Sequence, residues 1–117
     1  MTITLYGIPN CDTVKKARRW LDDRGVAYAF HDFKKQGVPQ ARLDAWMNAR
    51  GWERLVNRQG TTWRKLEPAA QAAVTDEGAA RALMLAQPSV IKRPVLEADG
   101  DVLVGFDEAA YRERFAG

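Results

Sequence analysis

The stretch ITLYGIPNCDTVKKARRWLDDRGVAYAFHDF, residues 3–33, carries the fold. Ile3-Thr4-Leu5-Tyr6 is short, β-prone and alternating, and Gly7-Ile8-Pro9-Asn10 closes it as a turn. From Cys11 onward Val14, Ala17, Trp20 and Leu21 recur at helical spacing, with Lys15, Lys16, Arg18 and Arg19 facing outward and Gly25 as the stop. Val26 to Phe33 then alternates with period two and reads as a second strand. Two neighbouring strands joined through a helix make a parallel βαβ unit.

Outward from this unit the pattern turns helical over residues 35–87. Pro39 opens a helix with Leu43, Trp46 and Met47 on its apolar face and Gly51 at its end. Trp52 to Leu66 is less regular and holds the polar loop Asn57-Arg58-Gln59-Gly60-Thr61-Thr62. Pro68 opens an Ala-rich helix, and Thr75 is the expected N-cap of the next, which Pro88 stops. Sheet then returns: Val95-Leu96-Glu97, the turn Ala98-Asp99-Gly100-Asp101, and Val102 to Phe106 form a hairpin. Asp107 caps a closing helix with Ala110, Tyr111 and Phe115 on its apolar side. The order is βαβ, a helical block, then ββα.

The chain has 117 residues, one domain's worth of polypeptide, with 46% hydrophobic and 28% charged residues. That balance argues against disorder, coiled coil and collagen. The apolar stretches are far shorter than the roughly 20 residues a spanning helix needs. Met1-Thr2-Ile3-Thr4-Leu5 lacks the charged region and apolar run of a secretory leader, so a cytoplasmic location is expected. A net charge of +3 suits anionic small molecules without demanding nucleic acid. Trp20, Trp46, Trp52 and Trp63 accordingly read as packing residues rather than a base-stacking platform. One cysteine and one histidine leave no disulfide framework and no Cys/His zinc site within the chain, and no metal is expected.

Cys11 stands where a strand and turn give way to a helix, the place where unpaired backbone N–H groups and the positive dipole end favour thiolate, the nucleophilic form. The competing reading is a small buried hydrophobe, and Asp12 beside the sulfur acts against the anion. Val14 occupies the position at which a second cysteine would close a Cys-x-x-Cys pair. Any redox cycle must therefore be monothiol, resolved by an external thiol, with glutathione the abundant cytosolic candidate. Its two carboxylates call for cations, and Arg58, Arg64, Lys65, Lys92 and Arg93 are the candidates. Pro94, directly after two basic residues and at the head of a strand, is either an edge-strand start or a cis peptide. His31 is assigned no role.

Taken together, Tyr6 to Ala17 (YGIPNCDTVKKA), Leu55 to Leu66 (LVNRQGTTWRKL), Ile91 to Pro94 (IKRP) and Val104 to Phe106 (VGF) resemble the ArsC/Spx family, in its YffB-like branch. The resemblance runs essentially end to end. It implies an α/β, thioredoxin-like βαβ…ββα core over residues 1–34 and 88–117, a helical insert over 35–87, one ArsC-like domain over 1–117, and a cis Pro94. By position, Cys11 matches the family's reactive cysteine and Arg93 the arginine before the cis-proline, the two expected catalytic residues. Arg58, or Asn57 one residue earlier, falls where arsenate reductases of the family place an oxyanion-binding arginine. Asn10, Arg58, Lys92 and Pro94 form the expected substrate and glutathione site.

The resemblance also contains departures. Arsenate reductases carry a third arginine in the last hairpin, where this chain has Val104-Gly105-Phe106 and no arginine before Arg112. An oxyanion needs its charge offset by several donors, so efficient arsenate reduction is not expected. The expected function is a glutathione-dependent thiol-disulfide reductase with one reactive cysteine, glutathione being co-substrate beside a thiol, disulfide or oxyanion substrate. The alternatives are an Spx-like transcriptional regulator that binds the α-subunit of RNA polymerase, or a weak arsenate reductase. Neither direct nucleic-acid binding nor a membrane partner is expected.

Overall fold

Strand β1 (Ile3–Gly7) sits inside a four-stranded sheet because both of its edges find partners. A computed structural model describes residues 2–116. The sheet order is β2-β1-β3-β4, with β2 (Ala29–Asp32) parallel to β1, β3 (Val95–Ala98) antiparallel to β1, and β4 (Asp101–Val104) antiparallel to β3. Leu5 pairs with Phe30 on one side and Leu96 on the other, so the three share one face. Against that face pack Ala17, Trp20 and Leu21 of α1 (Asp12–Asp23) and Tyr111 of the closing helix. The fold is therefore the thioredoxin-like α/β arrangement that the order of elements implies.

The second strand is shorter than the alternation over 26–33 predicts. Its pairing starts at Thr4↔Ala29, and the Val26 N–H is already bonded to the Leu21 carbonyl at the end of α1 (3.0 Å). Its other end is cut by a local cap: the Asp32 carboxylate accepts from the Lys34 N–H (2.8 Å), and the Gln36 side chain accepts from the Asp32 N–H (3.1 Å). Phe33 thus begins α2 (Phe33–Gln36) instead of ending a strand. The β3–β4 turn has Asp99 at φ 50° and Gly100 at φ 92°, the paired positive values that an Asp-Gly hairpin loop needs.

The chain divides into two compact units, residues 1–36 with 93–117, and residues 37–92. In the second unit α3 (Gln40–Arg50), α4 (Trp52–Leu55), α5 (Thr61–Arg64), α6 (Pro68–Ala72) and α7 (Glu77–Ala86) follow one another. Leu43, Trp46, Leu55, Ala80 and Met84 are fully buried in it. The unit runs on to Lys92 because Val56 and Ile91 form an antiparallel bridge, with the Asn57 N–H on the Val90 carbonyl (2.8 Å) and the Lys92 N–H on the Leu55 carbonyl (2.7 Å). The expected Thr75 cap is displaced by one residue. Asp76 is the N-cap of α7, its carboxylate accepting from the Ala79 N–H at 2.8 Å, a stronger acceptor than a threonine hydroxyl. Asp107 caps α8 (Glu108–Phe115) as the sequence predicts. No helix among the described residues is long and apolar enough to cross a membrane.

Tyr111 lies at the centre of an aromatic cluster, 4.8 Å from Phe106 and 5.6 Å from Trp20 between ring centroids, and is fully buried. Among the described residues its hydroxyl has no hydrogen-bond partner, and burial pushes the phenol above its usual range. The unfolded chain ionises this group near the ordinary value of about 10, whereas the folded chain holds it neutral. The stability it contributes is thus complete below about pH 10 and lost at about 1.4 kcal/mol per pH unit as the pH rises towards the folded value. Tyr111→Phe is expected to flatten that alkaline decline. Urea unfolding of both chains between pH 9 and 11 checks it, and parallel curves would refute it.

Candidate functional site

Cys11 is the N-cap of α1, with extended backbone (φ −131°, ψ 124°), and its carbonyl already accepts the Lys15 N–H at 2.9 Å. It is partly exposed, with Pro9, Asn10, Asp12 and Thr13 exposed around it, so the residue is not part of the core. The Cys11 side chain makes no capping hydrogen bond to the helix, sulfur being a weak acceptor. The first-turn amides therefore receive no side-chain bond from the cap residue. Gly7 sets how closely the helix approaches: a Cβ there would lie 2.8 Å from Val14 Cγ2.

Pro94 belongs to the same end of the sheet. Tyr6 pairs with Val95, so the chain leaves β1 towards Cys11 at the edge where it enters β3 from Pro94. The Arg93–Pro94 peptide is cis, and the Pro94 carbonyl accepts the Gly105 N–H at 2.8 Å. Asn10, Cys11, Arg93 and Pro94 all lie in the first unit. Gly105, at φ 78°, follows β4, and Arg112 is held on α8 by Glu108 at 3.0 Å. His31 stacks on Tyr6 with ring centroids 4.9 Å apart.

Arg58 and Lys92 come together in the second unit. The Val56–Ile91 bridge brings residues 56–59 beside Lys92, and Glu53, Arg54, Val56, Asn57, Arg58, Gln59 and Lys92 line a cleft of about 410 Å³. Asn57 turns its side chain inward on its own loop, the amide oxygen accepting from the Gln59 N–H at 3.2 Å. Of the two residues offered for the oxyanion position, Arg58 is the one that brings a positive charge. Among the described residues Arg54, Arg58 and Lys92 form no ion pair, whereas Arg81, Arg112 and Arg114 do. Three cations against the single carboxylate of Glu53 leave the concavity with a positive excess, which suits an anionic ligand. Arg54 is not among the sequence candidates, and nothing in its local pattern marks it. Arg64 and Lys65 do not line the cleft.

The ArsC family model matches residues 6–114. The solved structure of a YffB protein is 54% identical, with a TM-score of 0.93 over 98% of this chain and 100% of that one. An arsenate reductase (ArsC) related protein from Brucella melitensis is 52% identical, with a TM-score of 0.77 over 99% of this chain and 96% of its own. Among curated sequences, an uncharacterised protein of Haemophilus influenzae is 40% identical over 97% of this chain and 99% of its own length. The global transcriptional regulator Spx of Streptococcus agalactiae is 27% identical over 94% of this chain and 80% of its own length.

Proposed function

Because the chain belongs to the ArsC family, we propose that it is a cytoplasmic, glutathione-dependent thiol-disulfide reductase in which Cys11 is the nucleophile. The observation that carries this reading is the accessible placement of the only cysteine at the N-cap of α1, on the sheet end that also holds cis-Pro94. Cys11 thiolate attacks the glutathionyl sulfur of a mixed disulfide. The S–S bond breaks, the substrate leaves as thiolate and takes a proton, and Cys11 is left joined to glutathione. A second glutathione thiolate attacks that adduct, giving glutathione disulfide and free Cys11. In sum the substrate sulfur is reduced to a thiol and the sulfur of the incoming glutathione is oxidised, the glutathionyl sulfur of the mixed disulfide staying at the disulfide level throughout.

Helix amides engage the sulfur anion at entry and departure, the backbone beside Pro94 pairs with the glutathionyl cysteine, and Arg93, directly before the cis-proline, supplies the cation for the reaction. Asn10, Arg58 and Lys92 bind the peptide's polar groups. Intact mass after incubation with glutathione disulfide tests the reading, with one glutathionyl group per chain expected. No adduct, while a small alkylating reagent still modifies Cys11, would remove glutathione from the account.

The similarity to Spx supports a second reading, a regulator that docks on the α-subunit of RNA polymerase. Retention of the polymerase α carboxy-terminal domain by a Cys11→Ser chain would favour it, since docking needs no thiol. A third reading, arsenate reductase, requires arsenate- and glutathione-dependent turnover abolished by Arg93→Ala. The absence of an arginine in Val104-Gly105-Phe106 speaks against it.

A further inference from the structure

Arg58 is an exposed, five-donor side chain on a loop, and such a side chain ordinarily samples many rotamers. Here it does not stand alone. Its guanidinium carbon lies over the Trp52 ring at 5.7 Å from the centroid and over the Trp63 ring at 5.6 Å, both within cation–π range. The backbone that carries each indole is itself held. Trp52 begins α4, and the Trp63 carbonyl accepts the Gln71 side-chain amide at 2.8 Å. The loop between them is fixed as well, since the Gly60 N–H bonds the Asn57 carbonyl at 3.3 Å and a Cβ on Gly60 would meet the Asn57 amide nitrogen at 2.9 Å.

We infer that Trp52 and Trp63 are positioning residues that hold the Arg58 guanidinium ready to grip a ligand carboxylate. An aromatic ring attracts the guanidinium through its π face and takes up none of the N–H donors, which stay available to a planar bidentate acceptor. The cleft, at about 410 Å³, has the size of a small-molecule site and far exceeds a bare tetrahedral oxyanion, which favours an extended peptide carboxylate. Holding the arginine in place removes part of the ordering cost of binding. The identity of the peptide as glutathione rests on the function proposed above.

The test joins two readouts on the full chain. In a nitrogen–proton spectrum, the Arg58 side-chain Nε–H signal, identified by its loss in Arg58→Ala, is expected to be displaced by ring currents and to move to the position of a solvated arginine in Trp52→Leu or Trp63→Leu. Trp52→Phe, which keeps a π face, is expected to preserve the displacement. Titration with S-methylglutathione, which cannot form a disulfide, is expected to weaken about tenfold in Arg58→Ala and about two- to fivefold in Trp63→Leu. In the Arg58→Ala background, Trp63→Leu is expected to have no further effect, whereas a merely structural tryptophan would weaken binding equally in both backgrounds. A native Arg58 signal at the solvated position, or additive losses, overturns the inference. A displaced signal with no binding of S-methylglutathione overturns the glutathione assignment and leaves the tryptophan clamp standing.

Discussion

Cys11→Ser is expected to lose all glutathione-dependent disulfide reduction while becoming more stable, by about 0.5–1 kcal/mol. The two halves of this result have one origin. Cys11 occupies the N-cap of α1 and leaves the first-turn amides without a side-chain bond. Serine keeps the size of the side chain, cannot form a disulfide, and supplies the hydroxyl oxygen that an N-cap prefers. A residue retained for packing would show the reverse, with stability falling and chemistry irrelevant. Gain of stability with loss of chemistry is the mark of a position where activity opposes folding. Disulfide-reduction assays and urea unfolding of the two chains measure both halves, and a Cys11→Ser chain less stable than the native one would identify the cysteine as structural.

Gly7→Ala is expected to destabilise the chain by about 1–3 kcal/mol and to slow Cys11 chemistry, because the added methyl meets a wall. Val14 Cγ2 would stand 2.8 Å from it and Cγ1 3.5 Å, and Val14 is fully buried on a short, branched side chain that has no route of retreat. The first turn of α1 must then lift away from β1, carrying its N-cap with it. Gly7→Ala combined with Val14→Ala opens the space again. The double variant is therefore expected to be less destabilised than the sum of the two single ones, as measured by denaturant unfolding. Strict additivity would show that the glycine is required for some reason other than this contact.

Much of this arrangement is legible in the chain itself, and the exceptions share a cause. The β1–turn–α1 junction, the Asp-Gly hairpin and the Asp107 cap depend on neighbours within a few residues, so local chemistry dictates them. The early end of β2 is also written locally, in Asp32 and Gln36, but apolar alternation through Phe33 masks a polar cap. At α7 the choice between Thr75 and Asp76 depends on which acceptor reaches Ala79, a difference of one residue that periodicity does not resolve. The cleft is only half visible. Arg58 and Lys92 stand out as cations in family motifs, but their meeting depends on the Val56–Ile91 bridge, a pairing of distant segments with no local signature. Arg54 and the two tryptophans around Arg58 are hidden for the same reason, since in sequence they look like an ordinary charge and ordinary packing residues.

The single-thiol cycle itself is tested by preparing the Cys11–glutathione mixed disulfide, adding reduced glutathione, and following the chain's mass together with release of glutathione disulfide. Rapid return of the unmodified chain, with one glutathione disulfide released for each adduct consumed, is the predicted result. An adduct that persists in millimolar glutathione, on a chain that remains folded, would contradict it.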